Sequence, residues 1–349
     1  MSGRDAVDSG SGAGPAILLA YPRDRRERLY PDEALARLRL LGRVQLSATH
    51  SDDGSLAWIG EASTTGAEIV VADRVTDAPA EAFAQLPRLR AFVRGAMDVR
   101  TVDLPAARQH GVMVIHGSAG WVDAVCELAF GLTISLLRHL PAATIAYRAG
   151  RVPEPEMGRQ LAGLTLGVVG YGNLGRRMAE LGQALHMDVR VSDPYASDVP
   201  DSIPNDDLHR LLAAIDVVVL TAPHNKETEK LIDASALAQM RPEAVLVNIG
   251  RGGLVDDDAL YQALTTGAIA GAALDVGREP DNLPSVRLAT LPNVVAAPHV
   301  GGFVREAVLH HAHETVDQVA DLLAGREPSG TLTPLPGGSS HPWGENDDA

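Results

Sequence analysis

The sequence predicts an α/β protein made of two tandem Rossmann-like domains, each a doubly wound parallel sheet. Three observations carry this reading. Short apolar runs alternate with segments of helical spacing along nearly the whole chain, which is the pattern of a parallel sheet covered by helices on both faces. The alternation restarts near the middle, at residue 164. A chain of 349 residues is also too long for one ordinary domain but suits two, each burying its own core.

In the first unit AILLA (16–20), EIVVA (68–72), LRAFV (89–93) and VMVI (112–115) read as buried strands, with PDEALARLRLLG, AEAFAQL and DLPAARQHG as helices between them. One long helix is predicted from Val122 to about Tyr147. The second unit offers LTLGVVG (164–170), DVRVSD (188–193), DVVVLT (216–221), AVLVNIG (244–250), IAGAALDV (269–276) and NVVAAPHV (293–300) as strands. NLGRRMAELGQALHM and VDDDALYQALTTG fill gaps between them as helices. The last amphipathic segment, VREAVLHHAHETVDQVADLLAG, is expected to return to the first unit and make it discontinuous. The expected boundaries are a flexible leader over 1–15, a substrate domain of 16–118 with 301–327, a dinucleotide domain of 119–300, and a loose tail over 328–349. No appended regulatory domain is expected at this length.

Composition narrows the partners. A net charge of −15 repels phosphate, which argues against nucleic acid and anionic membrane. No apolar run is long enough to cross a bilayer, and the first residues have no hydrophobic stretch of the signal-peptide type. The single cysteine, Cys126, rules out an intramolecular disulfide and fits a reducing cytoplasm. An anionic metabolite remains compatible if arginines are placed locally at its site.

GVVGYGNLG sets Gly170, Gly172 and Gly175 in a G-x-G-x-x-G pattern between an apolar strand and an amphipathic helix. The first glycine permits the tight turn, the second lets backbone approach a pyrophosphate, and the third lets helix and strand pack closely. The helix N-terminus then offers N–H groups and a positive dipole end. Asp193 closes the next strand. An acid there accepts from both ribose hydroxyls and repels a 2′-phosphate, so NAD is preferred to NADP; alone, it would read equally well as a turn residue before Pro194.

Three further strands end in charged residues: Arg251 after AVLVNIG, Asp275 and Glu279 in AALDVGREP, and His299 in AAPHVGG. Ligands of open α/β sheets bind beyond the carboxyl ends of the strands, where these residues can meet. Reduction of a keto acid needs a cation for the carboxylate, a proton donor for the carbonyl oxygen, and a carboxylate that favours the protonated imidazole. Arg251, His299 and Glu279 supply these roles in that order.

GVVGYGNLGRRMAELGQAL, VNIGRGGLVDDDALYQAL, GAALDVGREP and APHVGG resemble the D-isomer-specific 2-hydroxyacid dehydrogenases over roughly residues 60–325. The resemblance implies an NAD-dependent oxidoreductase acting on a small anionic 2-keto or 2-hydroxy acid, with the active-site cleft between the domains. It implies Arg251, Glu279 and His299 as catalytic residues and Asp275 as a helper near the nicotinamide. Asn173 and Leu174 match backbone donors to the pyrophosphate, Pro223 and Thr228 the adenosine side, and Ile249, Gly250 and Gly301 further cofactor contacts. A homodimer through the helix at 122–147 is also implied. The same fold serves NAD(H)-sensing corepressors that keep the triad, so a scaffold with little turnover is the alternative function.

The chain departs from the family at two places. D-V-G-R-E-P is one residue shorter than the usual spacing before the glutamate. In the substrate loop Ala96 and Asp98 replace glycines and Arg100 an aspartate. Backbone N–H groups over Arg94, Gly95, Ala96 and Met97 are expected to hold the substrate carboxylate. The Arg94 and Arg100 side chains either take a second acidic group or sit solvated at the surface. Trp121 either walls the pocket or packs between domains. The run HHAHE (310–314) lacks a completing ligand set and is read as surface, with no metal expected.

Overall fold

Complete burial selects the strands: Ile69–Ala72, Ala91–Arg94, Val217–Leu220 and Val245–Asn248 are buried at every position, as strands with both faces covered must be. The computed structural model describes residues 14–278, 280 and 282–333. It divides into two compact units, one running to Gly120 and resuming at Arg305, the other Trp121–Val304.

Among the described residues, the first unit holds β1 (Ala16–Leu19), β2 (Arg43–Leu46), β3 (Ile69–Ala72), β4 (Ala91–Arg94) and β5 (Met113–His116) in one sheet, ordered β2-β1-β3-β4-β5. Every pairing is parallel. Successive residues face opposite sides. Ile17 and Leu19 pack with Leu38, Val316 and Val319 of helices Asp32–Arg39 and Arg305–Leu323, whereas Leu18 joins Trp58, Phe83 and Ala107 on the other side. The strand β2 is absent from the sequence-based expectation. As an edge strand of alternating exposure, RVQL shows none of the continuous apolar character of its neighbours.

The second unit holds β6 (Thr165–Val169), β7 (Asp188–Ser192), β8 (Val217–Leu220), β9 (Val245–Asn248), β10 (Gly271–Leu274) and β11 (Val294–Ala296), ordered β11-β10-β9-β8-β6-β7 and all parallel. The chain starts at β6, adds β7 on one side, and then crosses to build outward from β8. The switch point between β6 and β8 is where a doubly wound sheet opens a crevice for a ligand.

Two expectations are corrected. The helix over 122–147 is two helices, Val122–Leu137 and Leu140–Arg148, bent by 70°. Pro141 falls in the first turn of the second, where it has no N–H to continue the ladder, and His139 takes a left-handed φ of 54° at the break. The tail, expected to be loose from residue 328, is pinned over 330–333 along the edge of β5. His116 N–H donates to Gly330 O at 3.0 Å and Leu332 N–H to Val114 O at 2.8 Å. Thr333 Oγ1 accepts from Val114 N–H at 2.7 Å and donates to Val112 O at 2.9 Å. An edge strand leaves such groups open, and the tail covers them. The remaining leader and tail expectations fall on residues 1–13 and 334–349, outside the described residues.

Cys126 is fully buried, its thiol pushed up to about 12 by burial. Among the described residues no single helix is long and apolar enough to cross a membrane. Thr333 is fully buried, and Thr333→Val keeps its shape but strands two backbone groups. It should lower unfolding free energy by about 1–3 kcal/mol in chemical denaturation; an unchanged midpoint would mean the tail contributes nothing.

Candidate active site

The glycine turn begins where β6 ends. Gly170 has φ 95°, and a side chain there would meet Ala222 Cα at 2.7 Å, so only glycine fits. At Gly175 a Cβ would lie 2.0 Å from Gly170 O, which brings the helix Asn173–Ala184 directly against the strand. Gly172 differs, since a Cβ there would project into open space. It is the N-cap of that helix, with no side-chain cap and no acid in the first turn. Asn173 is exposed, while Leu174 is buried and its carbonyl is contacted by Cys126 Sγ at 3.7 Å. Uncapped N–H groups at the positive end of a helix, with clear space above them, fit a pyrophosphate. Thr221, which sequence reasoning missed, donates to Gly170 O at 2.8 Å and Val169 O at 3.0 Å.

Asp193 follows β7 and is partly exposed. Its Oδ2 accepts from Tyr171 N–H at 2.7 Å, inside the glycine turn. Its Oδ1 accepts from Tyr195 N–H at 2.9 Å and Ala196 N–H at 3.2 Å. Asn205 clamps its backbone from both sides. The carboxylate therefore stabilises the turn and ties it to the glycine loop, while Oδ2, with one donor, retains a second lone pair for a hydroxyl. Arg190 is engaged by Asp206 at 2.6 Å. Arg176 lies over the Tyr171 ring at 4.7 Å and pairs with Asp198. Thr228 closes its own loop by donating to Pro223 O at 2.7 Å.

The strands β9, β10 and β11 are neighbours in the sheet, so the segments that follow them emerge side by side. Asn248 ends β9 at 1% exposure; its Oδ1 accepts from Gly250 N–H at 3.2 Å and its Nδ2 donates to Arg251 O at 3.0 Å. This shapes the loop that carries buried Ile249 and Gly250 and leaves Arg251 exposed, with Nη1 donating to Gly250 O at 2.8 Å. The same loop presses on the next one, since a Cβ on Gly252 would lie 1.9 Å from Gly277 C.

Asp275 follows β10 and is 2% exposed. Its Oδ1 accepts from Val300 N–H at 2.9 Å and its Oδ2 from Gly301 N–H at 3.0 Å. These donors are the two residues after His299, whose backbone sits at a left-handed φ of 54° with its N–H on Ala297 O at 3.0 Å. That conformation costs a non-glycine residue about 1–3 kcal/mol. Two charge-assisted hydrogen bonds to a buried carboxylate are of the size needed to offset it. His299 is partly exposed. Glu279 lies outside the described residues.

In the first unit the side-chain reading of Arg94 is corrected. It is 1% exposed, and its guanidinium donates to Thr76 O, Arg74 O and Thr101 Oγ1. Burial holds its pKa below the usual arginine value, with nearby Asp73 opposing the shift. It folds the 73–77 loop over β4 and has no face to offer a substrate acid. Gly95 N–H is also spent, on Ala72 O at 2.8 Å, whereas Ala96 and Met97 N–H groups donate to no acceptor among the described residues. Arg100 pairs with Asp98 at 2.7 Å, and that contact, its largest cause, draws the Asp98 carboxyl down to about 2. Trp121 packs on the second unit's core, its Cβ 3.2 Å from where a Cβ on Gly302 would stand. A cavity of about 260 Å³ lies at the ends of β1 and β3, lined by Arg25, Thr49, Ser51, Ser55 and Trp58 among others.

The histidine run is less superficial than expected. His310 Nε2 is 2.8 Å from Ser118 Oγ, and a Cβ on Gly120 would meet its ring at 2.0 Å. Burial lowers the His311 pKa. Among the described residues no three His, Cys, Asp or Glu side chains are grouped to hold a metal.

Comparison with known proteins places these motifs. The profile of "D-isomer specific 2-hydroxyacid dehydrogenase, NAD binding domain" matches residues 130–301. The chain is 34% identical over 270 residues to a glycerate dehydrogenase of Methylorubrum extorquens, covering 75% of this chain and 84% of that protein. It is 34% identical over 271 residues to the D-3-phosphoglycerate dehydrogenase of Synechocystis, covering 76% of this chain but 48% of the other, so it spans about half the length of such relatives. The TT0316 protein of Thermus thermophilus shares the fold with a TM-score of 0.77 at 31% identity, over 91% of this chain and 99% of that one. A dinucleotide-binding sheet with Arg251, Asp275 and His299 in adjacent loops, joined to this degree of likeness, has one reading: the chain belongs to the D-isomer-specific 2-hydroxyacid dehydrogenase family.

Proposed function

We propose that the protein is an NAD-dependent dehydrogenase interconverting a 2-keto acid and its D-2-hydroxy acid. The observation that carries this reading is the adjacency of β9, β10 and β11, whose following loops bear Arg251, Glu279 and His299 on the sheet that also forms the glycine turn. Arg251 holds the substrate carboxylate, for which a planar guanidinium is suited. His299 gives its proton to the carbonyl oxygen during reduction and takes it back during oxidation. Glu279 favours the protonated imidazole. The bound nicotinamide supplies or accepts the hydride. Ala96 and Met97 enter through their backbone N–H groups, as further donors to the carboxylate.

Asp193 supports NAD over NADP, since its carboxylate accepts from ribose hydroxyls and repels a 2′-phosphate. Asn173, Leu174, Pro223, Thr228, Ile249, Gly250, Asp275 and Gly301 complete the proposed cofactor surface. The lone buried cysteine supports a cytoplasmic setting. A homodimer is supported by the exposed apolar side chains of Ile134, Leu140, Ile145 and Tyr147 on the two helices of 122–148.

The decisive test is NADH oxidation over a panel of 2-keto acids, from glyoxylate to hydroxylated and dicarboxylic members. Turnover with at least one is expected, and His299→Ala should reduce its kcat by about 10²–10⁴. Tight NADH binding with no turnover anywhere would favour a sensor instead. Asp193→Asn, which keeps an acceptor for Tyr171, should shift the NADH to NADPH ratio of kcat/KM toward NADPH about tenfold or more; an unmoved ratio would remove Asp193 from cofactor choice. Sedimentation should give a dimer mass that Ile145→Asp with Tyr147→Asp converts to monomer, and a monomeric wild type would refute the dimer.

A further inference from the structure

The first unit has a switch point of its own. Its sheet order, β2-β1-β3-β4-β5, takes the chain from β1 to β2 on one side and then back to β3 on the other. A crevice opens beyond the carboxyl ends of two strands so related. The cavity of about 260 Å³ occupies that place, with Pro22 just past β1 and Val75 just past β3. Its size suits a small metabolite and not a dinucleotide. One wall is apolar, formed by Pro22, Val75 and Trp58, whose indole N–H is already spent on Asp77 O at 2.9 Å. The other wall is polar and centres on Arg25. That side chain is 24% exposed, and its Nε is held by the carboxylate of Asp73, itself only 3% exposed. Asp73 is fixed in turn, because its Oδ1 accepts from Val75 N–H and Thr76 Oγ1, each at 3.0 Å. Among the described residues the two Nη groups of Arg25 donate to no acceptor. The guanidinium is thus oriented from behind, and the edge that can take a carboxylate in two parallel bonds is uncommitted.

Two serines on the same cavity have the opposite character. Ser51 Oγ donates to Asp24 at 2.7 Å and Ser55 Oγ to Asp77 at 2.6 Å. With their protons spent, both oxygens can only accept. The Ser51 bond also holds the Asp24 carboxyl below its usual value. A ligand hydroxyl can donate to these serines, whereas a second carboxylate would find no donor there and two acids one layer behind. We propose that this cavity binds a small hydroxylated monocarboxylate, with its carboxylate on the Nη edge of Arg25, its hydroxyls donating to Ser51 and Ser55, and its carbon chain against Trp58. An unsubstituted acid leaves the serine oxygens unpaired, and a neutral polyol leaves the guanidinium unpaired. Both are discriminated against for that reason.

The test is titration of the full chain, by calorimetry and by ligand-observed NMR, with three probes of equal carbon number: L-threonate, butyrate and threitol. Threonate should bind about tenfold or more tightly than either of the others. Arg25→Lys keeps a charge opposite Asp73 but loses the planar fork, and should weaken threonate by about tenfold or more. Ser51→Ala with Ser55→Ala leaves the Asp73 contact untouched, and should bring threonate down to the level of butyrate. The serine pair keeps the test open if Arg25→Lys lowers Tm. Binding of none of the three, equal binding of all three, or a preference for threonate that survives in the serine variant would overturn the proposal. Binding needs neither NADH nor turnover, so its failure would leave the dehydrogenase reading standing. Adding threonate to a turnover assay with a keto acid from the panel then separates two sources of the same chemistry. A rise in the keto-acid KM alone identifies the ligand as substrate-like, and a change in kcat alone identifies it as a separate effector.

Discussion

A buried carboxylate receiving two backbone N–H groups is the contact on which this site depends. Asp275 is almost fully enclosed at the end of β10, and both its oxygens are committed to the residues after His299. Those bonds help to hold the left-handed turn at His299, where an extended or helical backbone would be lower in energy for a residue with a Cβ. The backbone turn that carries His299 is therefore held in part from the neighbouring strand. A buried charge without partners would be prohibitive, so the two N–H groups stabilise Asp275 as much as Asp275 stabilises the turn.

The same device recurs along the carboxyl edge of the sheet. Four strands, β7 to β10, end in or just before a polar side chain that reaches the backbone of a turn. Thr221 holds Gly170 O, Asp193 holds Tyr171 N–H, and Asn248 holds Gly250 N–H and Arg251 O. Parallel pairing brings all these ends to one edge, and hydrogen bonds there stiffen loops that must carry reacting groups. The chain as a whole is strongly acidic, but a bulk field is screened over about 8–10 Å in salt, so it does not by itself bar an anion from the sheet edge where Arg251 is exposed.

What was legible in the sequence followed from continuous apolar runs and from glycines in a fixed pattern. The strands with both faces covered, the glycine turn and the order of the charged strand ends were all readable, since each leaves a local signature. β2 was not, because an edge strand with one side open loses that signature. The break at His139 was marked by Pro141, but the apolar periodicity on either side outweighed it. The tail's grip on β5 depends on Thr333 meeting backbone more than two hundred residues away, and nothing local encodes that. Asn248 and Thr221 stand in the sequence as polar residues closing apolar strands, which is the local mark of a side chain that holds a turn.

Arg94 and Arg251 show where local reading must stop. Both are arginines at or just past the end of a fully buried parallel strand, and both precede glycine. Their fates differ because of the loops beside them. The 73–77 loop passes over β4 with the carbonyls of Arg74 and Thr76 turned inward, and a guanidinium is the side chain with enough donors to satisfy both. Beside β9 most of the corresponding task falls to Asn248, whose shorter amide ties the loop to itself, while Arg251 gives one nitrogen to Gly250 O and stays exposed. Whether a strand-end arginine is enclosed or stays exposed follows from the hydrogen-bond demand of the backbone around it. That demand arises from segments distant in sequence, so the chemistry of a strand-end arginine is a property of the assembled sheet edge and not of its motif.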